Sequence, residues 1–115
     1  MTLNDIAHML NAKAICCEEK LEHDINAAFA SDLMSDVLTI DDSTHVLLIT
    51  GLVNVQTIRT AEMSDIQHIV FVRNKKVSSE IIALAKELGI CLLECEYSMY
   101  RTCGILFCNQ VAPLY

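Results

Sequence analysis

The chain is short of glycine, proline and positive charge. Its three glycines, Gly51, Gly89 and Gly104, stand far apart, so there is no Gly-x-x-x-x-Gly-Lys-Ser/Thr loop to cradle a triphosphate. Its single proline, Pro113, lies in the tail, and no linker, repeat or low-complexity segment divides the chain. Eight basic side chains face 15 acidic ones, for a formal charge of −7. Phosphate contacts dominate nucleic-acid affinity, so this balance argues against DNA or RNA as a partner. It leaves room for one small anion held by local backbone dipoles. No apolar run approaches the roughly 20 residues of a membrane helix. Met1-Thr2-Leu3-Asn4-Asp5 lacks the basic and apolar regions of a signal peptide, so the expectation is a cytoplasmic protein without a membrane role.

The six cysteines include no Cys-x-x-Cys spacing. Cys16 and Cys17 are adjacent, Cys91 and Cys95 are too far apart along a strand to share a metal, and Cys103 and Cys108 miss the helical pairing. Free, mostly buried thiols in a reducing compartment are expected, with no metal and no cofactor. His8, His23, His45 and His68 are scattered singly and read as surface or boundary residues.

What is present is apolar and periodic. Hydrophobic residues make up 53% and charged residues 20%, which excludes disorder. A chain of this length forms one domain, residues 1–115, burying roughly two-thirds of its unfolded surface. So apolar a composition in a small domain also points to a covered face, and a homodimer is expected.

The central stretch alternates strands and helices. Val46–Thr50, His68–Arg73 and Cys91–Glu96 read as strands buried on both faces. Val55–Met63 and Ser79–Leu88 read as the helices between them, the second stopped by Gly89. Before this unit come a helix capped by Thr2 with Asp5, burying Leu3, Ile6, Met9 and Leu10 and ending at Asn11, then a strand at Ala14–Cys16. A polar turn over Glu18–Asp24 and a strand at Ile25–Ala30 follow. Ser31 or Asp32 is placed to cap a short helix burying Leu33, Met34, Val37 and Leu38; alternatively Ser31 to Asp36 forms a ligand-facing loop. Asp41–Thr44 reads as a surface loop. A last helix, Tyr97 to Cys108 with Ser98 at its cap, is expected to bury Met99, Tyr100, Cys103, Leu106 and Phe107. The fold class is α/β, a three-layer domain on a mixed, mainly parallel sheet.

In such sheets ligands bind beyond the carboxyl ends of the strands, where helix N-termini point. Thr50, Gly51, Asn54, Gln56 and Thr57 are the candidate ligand-binding residues after the first parallel strand. Gly51 would turn the chain off the strand and Asn54 would cap the helix. Ser31, Asp32 and Ser35 are placed nearby, and Arg73 and Lys75, with Lys76, supply charge. The same residues also suit a plain strand-to-helix connection. Glu62 with Asp65, and Glu94 with Glu96, read as solvated pairs rather than acid–base machinery. Tyr97, Tyr100 and Arg101 suit either stacking on a planar ligand or packing. No arrangement for nucleophilic catalysis is visible, so no enzyme is expected.

Taken in order, several segments resemble the DRTGG domain family. They are Thr2-Leu3, Ser31-Asp32-Leu33-Met34-Ser35-Asp36, Ile49-Thr50-Gly51 with Asn54-Val55-Gln56-Thr57, Lys75-Lys76-Val77-Ser78-Ser79-Glu80, Ala85-Lys86-Glu87-Leu88-Gly89-Ile90, and Tyr97-Ser98-Met99-Tyr100 to Gly104-Ile105-Leu106. The resemblance spans essentially the whole chain and extends to the N-terminal, non-catalytic domain of HPr kinase/phosphorylase. It implies a domain like that one in fold, frequent dimerisation, and a non-catalytic regulatory role sensing a small anionic metabolite or nucleotide. The single-domain form is similar to proteins found near iron hydrogenase genes, which implies the alternative of a docking domain for an enzyme partner. The family often has a glycine-rich turn after its second parallel strand. Here Arg73-Asn74-Lys75 stands there, and the residues that give the family its name do not occur together.

Overall fold

A computed structural model describes residues 1–41 and 43–115. Six strands form one sheet in the order β1-β5-β4-β3-β2-β6. They are β1 (Lys13–Cys16), β2 (Ala27–Ala30), β3 (Val46–Thr50), β4 (His68–Phe71), β5 (Cys91–Glu94) and β6 (Ala112–Pro113). Neighbours β2, β3, β4 and β5 are parallel, β6 runs parallel to β2, and β1 alone is antiparallel, to β5. The sheet is therefore mixed and mainly parallel, as the sequence implies.

The helices are α1 (Leu3–Met9), α2 (Met34–Val37), α3 (Val55–Met63), α4 (Ser79–Leu88) and α5 (Met99–Cys108). Side chains alternate across the strands and sort into two cores. Leu48, Ile69, Phe71 and Leu92 face α2, α3 and α4 through Met34, Val37, Ile58, Ala61, Ile81 and Ala85. Leu47, Ile49, Val70, Cys91 and Leu93 face α1 and α5 through Leu3, Ile6, Leu10 and Leu106. This sorting follows from crossover handedness. The chain steps from β2 to β5 in one direction, so right-handed connections leave α2, α3 and α4 on one face. From β5 it returns across the sheet to β6, which puts α5 on the other face.

The caps form as the residue types require. Thr2 and Asp5 make a reciprocal capping box on α1. Asn54, Ser78 and Ser98 accept from the third backbone amide of α3, α4 and α5 respectively. Gly89 ends α4 at φ 71°, in the left-handed region.

Several expectations need correction. β4 and β5 end two residues earlier than expected, at Phe71 and Glu94 rather than Arg73 and Glu96. The strand expected from Ile25 begins at Ala27, though Ile25 is buried. The polar turn is a 3-10 helix over Glu18–Glu22, entered by Cys17 at φ 53°, so Cys17 is off the strand. Within the loop leading to β3, Asp41 is exposed but Ser43 is buried and donates to Ser64 O; Asp42 lies outside the described residues. The tail around Pro113 is not free: it forms β6, and Leu114 N donates to Ala28 O at 3.1 Å. A proline fits there because β6 is an edge strand.

Helix α5 starts at Met99, and its inward face differs from the apolar pattern. Thr102 and Leu106 are buried, with Met99, Cys103 and Ile105 half-buried. Tyr100 and Phe107 are 90% and 68% exposed, so both leave the core in which they were expected. Leu33 and Leu38 are exposed as well, while Met34 and Val37 are buried. Among the described residues no helix is long and apolar enough to cross a membrane.

Candidate functional site

The carboxyl ends of β2, β3, β4 and β5 share one edge with the N-termini of α2 to α5. The largest departure from expectation there is Asp32. It does not cap α2, whose N-cap is Leu33 with no side-chain bond. Ser31 Oγ accepts from Leu33 N at 3.0 Å in a local turn. Asp32 instead reaches across to the end of β3. Its Oδ1 accepts from Gly51 N at 2.7 Å and from Thr50 Oγ1 at 2.9 Å. Thr50 Oγ1 in turn accepts from Leu52 N at 3.2 Å. Lys75 closes the group by donating from Nζ to Gly51 O. The chain's own carboxylate thus sits on Thr50 and Gly51, two of the residues expected to line a ligand, with a lysine beside it.

Neither size nor backbone conformation requires a glycine at position 51, since its φ is not left-handed. A Cβ built there lies 3.6 Å from Asp32 Oδ2 and 3.7 Å from Lys75 Nζ, ordinary contact distances. The backbone freedom expected of it is used instead at Arg73 and Asn74, at φ 68° and 56°. Their amides donate to Tyr97 O and Cys95 O, so the turn after β4 is stitched to the end of β5.

Asn54 and Thr57 form a second group at the head of α3. Thr57 N donates to Asn54 Oδ1 at 2.8 Å, and Thr57 Oγ1 donates to Leu52 O at 2.7 Å. Ser35, Gln56 and Arg73 are exposed and make no side-chain hydrogen bond among the described residues. Of the expected set, then, Asp32, Thr50, Gly51 and Lys75 are brought together, with Asn54 and Thr57 adjoining through the loop.

Sequence reading missed two further contributors. Lys13 reaches this edge because β1 is antiparallel and starts opposite Glu94. Nothing in a four-residue strand states its direction. Glu94 is not solvated: its Oε2 accepts from Val77 N at 2.9 Å, and Oε1 lies 3.8 Å from Lys76 Nζ. Tyr97 is already stacked, with the Arg101 guanidinium 3.8 Å over its ring. That face is therefore closed to a planar ligand, while Tyr100 is open.

At the opposite end of the sheet His68 is completely buried, contrary to the surface or boundary position expected. Its Nδ1 lies 3.4 Å from Val46 O, and its Nε2 lies 3.1 Å from His23 Nδ1. A carbonyl only accepts, so His68 Nδ1 carries the proton and His23 donates to Nε2. Burial pushes the His68 pKa down to about 4. All six cysteines are free thiols. Burial pushes Cys16 up to about 11 and Cys91 up to about 12, which keeps both protonated. Among the described residues no three His, Cys, Asp or Glu side chains converge on a metal position.

An apolar groove of about 290 Å³ runs between β2, α5 and the tail. Phe29, Ile49, Cys103, Leu106, Phe107 and Leu114 are among its walls, and no charged side chain among the described residues lines it. Phe29 and Tyr115 meet edge to face at 6.0 Å.

No protein-family model matches the sequence, and no curated protein matches it. A solved structure does match. It contains the CBS and DRTGG domains of the regulatory region of Clostridium perfringens pyrophosphatase, complexed with the activator diadenosine tetraphosphate. The TM-score is 0.72 at 18% identity, covering 98% of this chain and 48% of that one. The two share a fold. This chain spans about half the length of that regulatory region.

Proposed function

We propose that this chain is a DRTGG-like, non-catalytic regulatory module that senses a small anion or nucleotide and acts through a dimer interface. The observation that carries the reading is the carboxylate of Asp32 seated on Gly51 N and Thr50 Oγ1. Those donors, with Lys75 beside them, form a place built for negative charge, and an internal group holds it until a ligand competes. A phosphate or carboxylate taking that place displaces Asp32, which lies two residues before α2. Ligand arrival is thereby converted into movement of the 31–33 loop. The nucleotide activator of the structural neighbour supports a ligand of this chemistry. The apolar groove supports the interface, because it is uncharged and flanks an edge strand of only two residues. Docking onto an enzyme partner through the same groove is the second reading, and the oligomeric state separates the two.

Calorimetric titration with adenine nucleotides, acetyl phosphate and pyrophosphate tests the sensing step. Asp32→Ala removes the internal competitor and is expected to tighten anion binding by about tenfold, the equivalent of one charge-assisted hydrogen bond. It should also cost about 1 kcal/mol of stability, since Asp32 is exposed. Asn54→Ala is expected to weaken binding by more than the roughly 1 kcal/mol it removes with the cap. Wild type and Asp32→Ala both failing to bind below millimolar concentration would end the sensing reading.

A further inference from the structure

The sheet has one topological switch point, and it is not at β3. The connections leaving β2, β3 and β4 pass through α2, α3 and α4 on one face, whereas the connection leaving β5 passes through α5 on the other. A crevice opens between two strands whose helices depart to opposite sides, here β4 and β5. A cleft of about 140 Å³ lies at that point, lined by Asn11, Lys13, Asn74, Lys75, Lys76, Glu94, Cys95 and Glu96.

The charges there run against the rest of the molecule. Lys13, Lys75 and Lys76 converge from β1 and from the turn after β4, while the whole chain carries −7. Two carboxylates also line the cleft. Glu94 is committed to Val77 N and to Lys76, and Glu96 is exposed. Lys13 has no ion-pair partner among the described residues, although its cross-strand neighbour is Glu94. Lys75 belongs to both places, since its Nζ donates to Gly51 O while its side chain walls the cleft.

We infer that this cleft binds phosphoryl groups, and that the ligand of the carboxyl edge is an oligophosphate bridging from the cleft to the Gly51 donors through Lys75. The inference rests on the anion-sensing reading and narrows its ligand class. The cleft is smaller than the roughly 300 Å³ at which drug-sized ligand pockets begin. It holds phosphoryl groups, and a nucleoside attached to them lies outside it. Lysine suits this role as a mobile point charge with three donors.

The test is titration of the protein with inorganic phosphate, pyrophosphate and tripolyphosphate at low and moderate salt. Affinity is expected to rise with each added phosphoryl group and to fall as salt is added. Lys13→Ala combined with Lys76→Ala is expected to weaken tripolyphosphate binding by about tenfold or more, with single phosphate much less affected. Lys13→Gln alone, at a position without an ion pair, checks that the loss is not one of folding, with thermal melting as the control. Equal affinity for all three anions, or tripolyphosphate binding unchanged in the double variant, overturns the cleft. If Asn54→Ala still weakens phosphate binding in that case, the sensing reading survives without it. If wild type binds none of the three, the cleft falls, and the sensing reading falls with it when adenine nucleotides and the Asp32→Ala variant also show no binding.

Discussion

Lowering the pH from 6.5 towards 4 is expected to remove about 3 kcal/mol of folding stability through His68 alone. The imidazole sits fully buried at the start of β4. In the native protein it titrates near 4, because burial withholds the hydration a cation needs, while the unfolded chain keeps the ordinary value of 6.5. Between those values the unfolded chain binds a proton that the native chain refuses. Acid therefore favours unfolding. The contribution is intact above 6.5 and is lost as the pH falls through about 4. The groups around it reinforce the sign: His23, Lys20 and His45 each push the pKa further down, and only the Val46 carbonyl opposes them. Urea unfolding at a series of pH values measures this directly. His68→Leu removes the titrating group, so its stability should lose one proton's worth of pH dependence in the window. An identical slope in wild type and variant would show that His68 does not titrate as burial requires.

Phe107→Glu is expected to weaken the proposed dimer by at least about a hundredfold while leaving the subunit folded. Phe107 is 68% exposed at the mouth of an apolar groove that no charged side chain among the described residues lines. In a subunit alone its loss removes little packing, so stability should change by about 0.5 kcal/mol or less. In a dimer closed over the groove, a carboxylate there is buried without a partner, which costs several kcal/mol. Light scattering across micromolar concentrations reads the result. Wild type at the monomer mass throughout would remove the dimer and favour the groove as a docking face for an enzyme partner.

How much was legible in the sequence depended on whether local pattern and tertiary placement agreed. β3 was readable to the residue because all of Val46–Thr50 is buried, and a run buried on both faces is what parallel strands demand. The caps at Thr2, Asn54 and Ser98 were readable because those side chains act on amides three residues away. Asp32 was not, because its partners are 18 and 19 residues on and its local context offers a capping role that α2 does not use. On α5, apolar character pointed Tyr100 and Phe107 inward, but the helix phase places Thr102 against Cys95, their polar atoms 3.8 Å apart. His68 opens an apolar run, and its bonds to Val46 O and to His23 are what make a buried imidazole acceptable. Lys13 joined the cleft through strand direction, which short strands do not encode.

The strand order also dictates a sequence of events as the polypeptide emerges from the ribosome. β1 and β2 are neighbours in the chain but lie four places apart in the sheet. Neither can pair until a later strand exists, and β2 finds its first partner only when Val46–Thr50 has been made. Assembly then advances one strand at a time through β4 to β5, each step closing a connection of modest length. β1 must wait for β5, about two-thirds of the chain away, before folding back onto the far edge. Such distant pairing is slow, because its loop-closure entropy is lost before any contact offsets it. The first strand synthesised is thus among the last to be secured, and Cys16, buried only in the finished protein, is exposed to oxidants throughout that interval.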